Sequence, residues 1–223
     1  MLPEMFLAVT SYNDNLNTPI TNSTIYKWEV NQFKKFQEIE TEKAIGSTAF
    51  VINSETFIAF ANNFKSGEGH SVRSPVYKWS VNSFVKVQTL QTYGARDVKS
   101  FTLYGETFLA FANRYSGESS NSDSFLYKWN GSRFVLFQSI PTHGVVAMHP
   151  FVICDETFLG VANYQGETVV YRFSGSQFNK YQVMVYGAND MTSFEYKGHT
   201  YLAIAVYTKG GRYNIKSELY KWI

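Results

Sequence analysis

One tripeptide, Tyr-Lys-Trp, recurs along the chain at nearly equal intervals. It occurs four times, and a degenerate copy, Tyr-Arg-Phe, fills the single gap in the series. The five copies begin at Tyr26, Tyr77, Tyr127, Tyr171 and Tyr220, so their spacings are 51, 50, 44 and 49 residues. Self-similarity at a period of about 40 to 50 residues is typical of β-propeller blades. The chain is therefore predicted to fold as a stack of similar units.

Three further segments keep the same period. The first reads Thr-Phe-Leu-Ala-Phe-Ala-Asn in its clearest copy, at residues 107–113, and the second follows the pattern Phe-x-x-aromatic-Gln in most copies. The third precedes a tight turn such as Tyr104-Gly105-Glu106. Each segment is five to seven residues long and rich in aromatic and β-branched residues, which is typical of strands. Four antiparallel strands per repeat are predicted, and hence an all-β propeller.

Composition supports this fold class. Aromatic residues make up 17% of the chain, and charged residues also make up 17%, below the usual figure of about 25%. Aromatic side chains suit the half-buried faces of sheets. We find no linker-like stretch, so residues 1–223 are predicted to form one domain. Its repeats are placed at approximately 6–55, 56–106, 107–156, 157–199 and 200–223.

The order of strands within a blade follows from their polarity. The apolar Thr-Phe-Leu-Ala segment is expected to be the second strand, buried between neighbouring blades. The Tyr-Lys-Trp strand follows as the third, and the Phe-x-x-aromatic-Gln strand as the outermost fourth. The segment that contains Asp97 is expected to be the first strand and to line the axis. Connections between second and third strands are mostly long and polar, so one face of the propeller should carry long loops.

The strand count is incomplete at both ends. The chain has five copies of the second and third strands but four of the first and fourth. This count predicts about five blades, either as a ring that lacks two strands or as a fragment of a seven-blade ring. Open sheet edges at both ends are prone to association, so a homo-oligomer is a further expectation.

The repeat resembles a known family. The run Leu-Tyr-Lys-Trp-Asn-Gly-Ser-Arg-Phe-Val-Leu-Phe-Gln-Ser-Ile-Pro-Thr-His-Gly, at residues 126–144, is similar to the epilepsy-associated repeat, also called EAR or EPTP, as in the leucine-rich glioma inactivated proteins. This resemblance covers essentially the whole chain. It implies an extracellular, secreted seven-blade propeller that binds cell-surface proteins and performs no catalysis. About five blades are present here, which departs from that pattern.

The long-loop face is the expected contact surface for a cell-surface or extracellular protein. Aromatic side chains near its loop starts would serve as anchors, since interface energy concentrates in such residues. These anchors are Tyr12, Phe64, Tyr115, Tyr164 and Tyr207. The alternative is a multivalent lectin with one glycan site per repeat, because similar repeats would give similar pockets that gain avidity together.

Two carboxylates occupy equivalent positions on the predicted axial strands. They are Asp97 and Asp190, and the related positions in other repeats are Gly46 and Ala147. The resemblance implies that such positions are often acidic. Two facing carboxylates could hold Ca²⁺, which takes oxygen ligands, or they could bond to backbone N–H groups. No other cofactor is expected.

Other functional classes find little support in the sequence. The net charge of +2 does not indicate a nucleic-acid partner, and no apolar run is long enough to insert in a membrane. The N-terminus shows no signal peptide. A catalytic site near Asp97, His143 and Asp190 is the weakest hypothesis, because no nucleophile accompanies them. Cys154 is expected to be buried, and two sequons place candidate N-glycans on Asn22 and Asn130.

Overall fold

The computed structural model describes residues 4–12, 21–117, 119–213 and 215–222. These residues form five antiparallel sheets and no helix, and thus no helix that could cross a membrane. The first sheet consists of β1 (Phe6–Val9), β2 (Ser23–Glu29) and β3 (Gln32–Ile39). The second consists of β4 (Ala44–Ile52), β5 (Glu55–Asn62), β6 (Arg73–Ser80) and β7 (Ser83–Gln91).

The remaining three sheets repeat this arrangement. The third comprises β8 (Ala95–Leu103), β9 (Glu106–Asn113), β10 (Asn121–Trp129) and β11 (Phe134–His143), and the fourth comprises β12 (Val145–Ile153), β13 (Glu156–Asn163), β14 (Thr168–Phe173) and β15 (Phe178–Met184). The fifth comprises β16 (Gly187–Tyr196), β17 (His199–Thr208) and β18 (Glu218–Lys221). Five such sheets correspond to about five propeller blades, so the predicted fold class and the order of strands within a blade are confirmed.

The inner strands of neighbouring blades run side by side along the axis. β4 lies against β8, β8 against β12, and β12 against β16. Side chains link them across the blade boundary: the Thr48 and Ser100 hydroxyls lie 3.0 Å apart, and Nε2 of His149 accepts a hydrogen bond from the Ser193 N–H at 3.0 Å. These contacts hold the inner strands of neighbouring blades together.

The second strands form the core between blades. In β5, β9 and β13 the last six residues are all buried. Each of these strands lies inside a sheet and is covered on both faces by adjacent blades, which explains its continuous apolar character. Small residues on one blade meet larger ones on the next: Gly160 packs directly against Met191. Close packing of this kind makes each blade depend on its neighbours.

A glutamine on each of three outer strands, β3, β7 and β11, bonds to the next blade. Gln88 donates from Nε2 to the Phe134 carbonyl at 2.8 Å and accepts the Phe134 N–H at Oε1 at 2.9 Å. The same pair of bonds joins Gln37 to Phe84 and Gln138 to Phe178. A register shift in the ladder precedes each glutamine, and a bulge of this type turns a side chain away from its regular direction. We call this bond pair the glutamine clasp.

The first and fifth blades each leave one face uncovered. On the first blade, Leu7 is 43% exposed, whereas Leu109 at the equivalent position of the third blade is fully buried. On the fifth blade, Leu219 is 59% exposed, whereas the equivalent Leu126 is fully buried. The recurring tryptophans of the Tyr-Lys-Trp strands suggest a core between blades, but Trp28 is exposed because it lies on the uncovered face of the first blade.

The turns between first and second strands are two residues long. In the turn Cys154-Asp155 both residues have positive φ, at 49° and 63°, as a two-residue hairpin requires. Cys154 is exposed, so the expectation that it is buried was wrong. The apolar strand that precedes it ends at Ile153, and the turn projects the thiol into solvent.

Candidate functional site on the long-loop face

The two faces of the propeller differ in the length of the connections between strands. One face carries the short turns between first and second strands and between third and fourth strands, such as residues 53–54 and 81–82. The opposite face carries the connections between second and third strands, which span residues 63–72 in the second blade and 114–120 in the third. The connection in the fourth blade, residues 164–167, is shorter. We call this the long-loop face.

Buried asparagines anchor the long loops to the scaffold. Asn113 accepts the Tyr93 N–H at Oδ1 at 3.1 Å and donates from Nδ2 to the Asp123 carbonyl at 2.9 Å. Asn62 and Asn163 make the equivalent two bonds in their blades. These side chains fix where each loop leaves and re-enters its sheet, so the recurring asparagine is structural.

Two groups of ring contacts, joined by an arginine, cross the long-loop face from the second blade to the fifth. Phe64 meets the edge of His70 at 5.2 Å, and His70 stacks on Tyr115 at 4.3 Å between centroids. The second group begins with Tyr164, which stacks on Tyr207 at 4.1 Å and donates a hydrogen bond to the Tyr207 hydroxyl oxygen at 2.5 Å. We call these five residues, together with the arginine that joins their two halves, the aromatic arc.

Arg114 is the residue that joins the two halves. Its guanidinium carbon lies 5.4 Å from the centre of the Tyr115 ring and 5.0 Å from that of Tyr164, so it makes a cation–π contact with each. The Nε of Arg114 is buried and has no hydrogen-bond partner among the described residues. A buried donor without an acceptor is rare in a folded protein, which marks this position as unusual.

A second arginine lies beside the first. Arg96 occupies the point where the ladder between β8 and β9 shifts register, because Ala95 pairs with Asn113 and Asp97 pairs with Ala112. The bulge releases the Arg96 side chain from the regular alternation of the strand. Burial lowers the pKa of Arg96 below its usual range, and the charge of Arg114 lowers it further. Equivalent bulges in the other blades carry Ile45, Val146 and Asn189.

The structure connects four of the five predicted contact residues. Phe64, Tyr115, Tyr164 and Tyr207 all belong to the aromatic arc, while Tyr12 lies near enough to influence the charge of Arg96 and is 54% exposed. Sequence reasoning did not identify Arg96, Arg114 or His70. Placing the repeats in register after Asn113 would have shown Arg114 as the charged member of a set that elsewhere holds asparagine or tyrosine. That set is Tyr12, Asn63, Arg114, Tyr164 and Tyr207.

The two axial aspartates lie on inner strands with one blade between them. Asp97 accepts the Val98 N–H at 2.9 Å and the Met148 N–H at 3.3 Å, and it pairs with Lys99 at 3.1 Å. Burial raises the pKa of Asp97, although Lys99 opposes this shift. Asp190 accepts the Met191 N–H at 2.8 Å. No group of three or more potential metal ligands from His, Cys, Asp and Glu occurs among the described residues, and the Ca²⁺ site stays a prediction.

The remaining candidates lie apart from the axis. His143 ends the outer strand β11, where its Nδ1 lies 2.8 Å from the Asn121 Oδ1. First and fourth strands of a blade are separated by roughly 14 Å, three inter-strand spacings, so His143 does not meet Asp97. The sequon residues Asn22 and Asn130 are both exposed, and their glycosylation stays a prediction.

Solved structures share the fold at low sequence identity. One of them is the SapL1 lectin in complex with α-methyl fucoside, which matches with a TM-score of 0.57 and 10% identity over 91% of this chain and 69% of that chain. An exo-β-1,3-galactanase from Clostridium thermocellum matches with a TM-score of 0.58 and 10% identity, over 90% of this chain and 52% of that chain. At such identity the likeness concerns the fold alone.

Curated relatives match half of the chain. The human thrombospondin-type laminin G domain and EAR repeat-containing protein is 35% identical over 114 residues, which is 50% of this chain and 16% of the relative. The mouse protein of the same name is 34% identical over 117 residues, or 51% and 17%. The chain thus spans a small part of the length of these relatives.

A family model matches most of the chain. The EPTP domain is found at residues 32–80, 83–130, 133–174 and 177–223. Each match begins on or just before an outer strand and ends at or just after the third strand of the following sheet, so its boundaries differ in phase from those placed by the second strand. With four matches that cover well over half of its residues, the chain belongs to the EPTP repeat family.

Proposed function

We propose that this chain is a non-catalytic extracellular recognition module that binds a protein partner through its long-loop face. The observation that carries the proposal is the aromatic arc. Tyrosine and arginine are the residues that most often dominate the energy of protein interfaces. Here they form one connected surface on loops that buried asparagines hold in place. Membership of the EPTP family supports a binding role for the module.

One composite site fits the geometry better than one site per repeat. The equivalent positions of the long-loop face are not the same from blade to blade, with Asn63, Arg114 and Tyr164 in three successive blades. A lectin with a repeated pocket would need the same side chains in each copy. The glycan alternative therefore serves as the competing outcome of the test.

The test compares matched tyrosine variants. We would screen the purified chain against a panel of purified extracellular domains and, in parallel, against a glycan array. The double variant Tyr115→Ala with Tyr164→Ala removes two members of the aromatic arc. The control is Tyr104→Ala with Tyr196→Ala, since these tyrosines are 78% and 56% exposed near the short turns of the opposite face. Thermal melting of both variants verifies that each is folded.

The expected result is saturable binding of one protein per chain. The long-loop variant should weaken this binding by at least about tenfold, as expected when aromatic anchors are truncated, and the control should not. Equal binding by both variants would show that another surface makes the contact. Saturation of several equivalent glycan sites per chain would instead establish the lectin.

A further inference from the structure

Two arginines, Arg96 and Arg114, lie close together on the long-loop face. Among the described residues neither Arg96 nor Arg114 takes part in a salt bridge, although nine lysines do. The carboxylate that follows Arg96 in the sequence, Asp97, pairs with Lys99. Within the described part of the chain, two guanidinium groups thus lie near each other, and no carboxylate pairs with either.

The surroundings of the two arginines destabilise the charged form of Arg96, whose pKa burial and the charge of Arg114 both lower. Arg114 is enclosed by the rings of Tyr115 and Tyr164, and its buried Nε lacks an acceptor. Like charges in a half-buried position repel each other more than in water, because fewer water molecules screen them. An anion placed between the guanidinium groups would relieve this repulsion and could accept hydrogen bonds from their N–H groups.

Arg96 and Arg114 are held in position by the scaffold. The Arg114 N–H donates to the Gly94 carbonyl at 3.2 Å, and Arg96 follows the Ala95–Asn113 pair of the same sheet. Gly94 allows the close approach of the neighbouring rings, since a Cβ at this position would lie 3.0 Å from both His70 and Tyr115. A site whose donors are fixed before binding loses less entropy on binding.

We propose that Arg96 and Arg114 bind a carboxylate side chain, Asp or Glu, presented by the protein partner of the long-loop face. This assignment rests on the proposed function. The planar guanidinium matches a carboxylate with two parallel hydrogen bonds, and the rings of Tyr115 and Tyr164 provide apolar walls for the stem of the acidic side chain. A single pair of arginines, in one blade of five, fits one acidic anchor residue.

The test uses an acidic peptide as the probe. The peptide Gly-Glu-Glu-Tyr-Glu-Gly and its counterpart with glutamine for glutamate are titrated against the chain at low and physiological salt. The variants are Arg96→Gln and Arg114→Gln, and the control is Arg133→Gln, which removes the same charge from an exposed turn on the opposite face. In a second measurement, inorganic sulfate is added while the melting temperature of each variant is recorded.

The acidic peptide should bind more tightly than its glutamine counterpart. Arg96→Gln and Arg114→Gln should each weaken that binding roughly tenfold, the effect expected for loss of one charge-assisted contact. Arg133→Gln should retain the binding. Sulfate should raise the melting temperature of the wild type and of Arg133→Gln more than that of Arg114→Gln. Equal behaviour of all variants in both measurements would overturn the proposal.

Two further outcomes distinguish the sources of the anion. If 3′-sialyllactose binds the arginine site more tightly than the peptide does, the anion belongs to a glycan and the assignment to a protein side chain fails. If the tyrosine variants lose the protein partner while the arginine variants retain it, only the acidic chemistry fails. The recognition surface would then stand without it.

Discussion

Gln88 shows how much one side chain contributes to the contact between blades. Its amide satisfies both the N–H and the carbonyl of Phe134 in the next blade. Gln182 occupies the same position one blade further on from Gln138, but it is exposed and makes no such bond pair among the described residues. The chain therefore contains a natural pair of equivalent residues, one bonded and one not.

We expect Gln88→Ala to lower the free energy of unfolding by about 1–3 kcal/mol, because it leaves two backbone groups without partners in a half-buried place. Gln182→Ala should change the unfolding free energy by less than about 0.5 kcal/mol, as is usual for exposed positions. Chemical denaturation of both variants measures the difference. Equal losses would mean that the glutamine clasp adds little to stability.

Single residues were the hardest to interpret from the sequence. The glutamines recur visibly in the sequence, but their partners lie on another blade some 40 to 47 positions away, and the bulge that orients them leaves no sequence signal. Arg96 was missed for the same reason. Its exit from the strand depends on a register shift, which the alternation of apolar and polar residues does not reveal.

At the scale of the strand, the complementary sizes of facing residues decide how closely blades approach. Gly160 of β13 stands where β5 and β9 carry Ala59 and Ala110. Its partner on the next blade is Met191, whereas Ala59 faces a blade with the smaller Val98 at the corresponding position. The small residue and the large one fit each other at this boundary, while Ala110 shares a cluster with Met148 between the third and fourth blades.

Gly160→Ala should destabilise the protein by about 1–3 kcal/mol, because the new Cβ would overlap the Met191 sulfur and the interior has little room. Adding Met191→Val to this variant should recover most of the loss, since the alanine–valine combination already occurs between the second and third blades. Melting temperatures of the single and double variants test this coupling. Additive effects of the two substitutions would contradict it.

Strands were far easier to predict than side-chain contacts. The period of Tyr-Lys-Trp and the alternation of aromatic residues repeat five times, so each copy corroborates the others. The continuous apolar run of the second strand correctly indicated burial on both faces. Cys154 was misjudged because an apolar strand leads directly into its turn, and a one-residue difference in the end of a strand reverses exposure.

For the whole molecule, stability should decrease from the middle blades toward the ends. Repeat proteins gain much of their stability from contacts between neighbouring units. The central second strands have such contacts on both faces, while β1 and β17 are half-exposed. Backbone amides in these outer strands should open more readily.

Hydrogen exchange followed by mass spectrometry measures this gradient. We expect peptides from β5, β9 and β13 to exchange at least about tenfold more slowly than peptides from β1 and β17, since local opening requires less free energy where fewer groups are packed. Leu7→Ser on the uncovered face should leave the central strands unaffected. Uniform protection across all five sheets would show that the sheets open together as one unit.

Each EPTP match contributes its first strand to the blade before it. The match at residues 32–80, for example, starts with β3 of the first sheet and continues through β4, β5 and β6 of the second. Sequence units and blades are therefore out of phase, so each unit supplies strands to two neighbouring blades. Under mechanical load, withdrawing one unit would have to open two blades at once, so resistance to pulling is shared between neighbours.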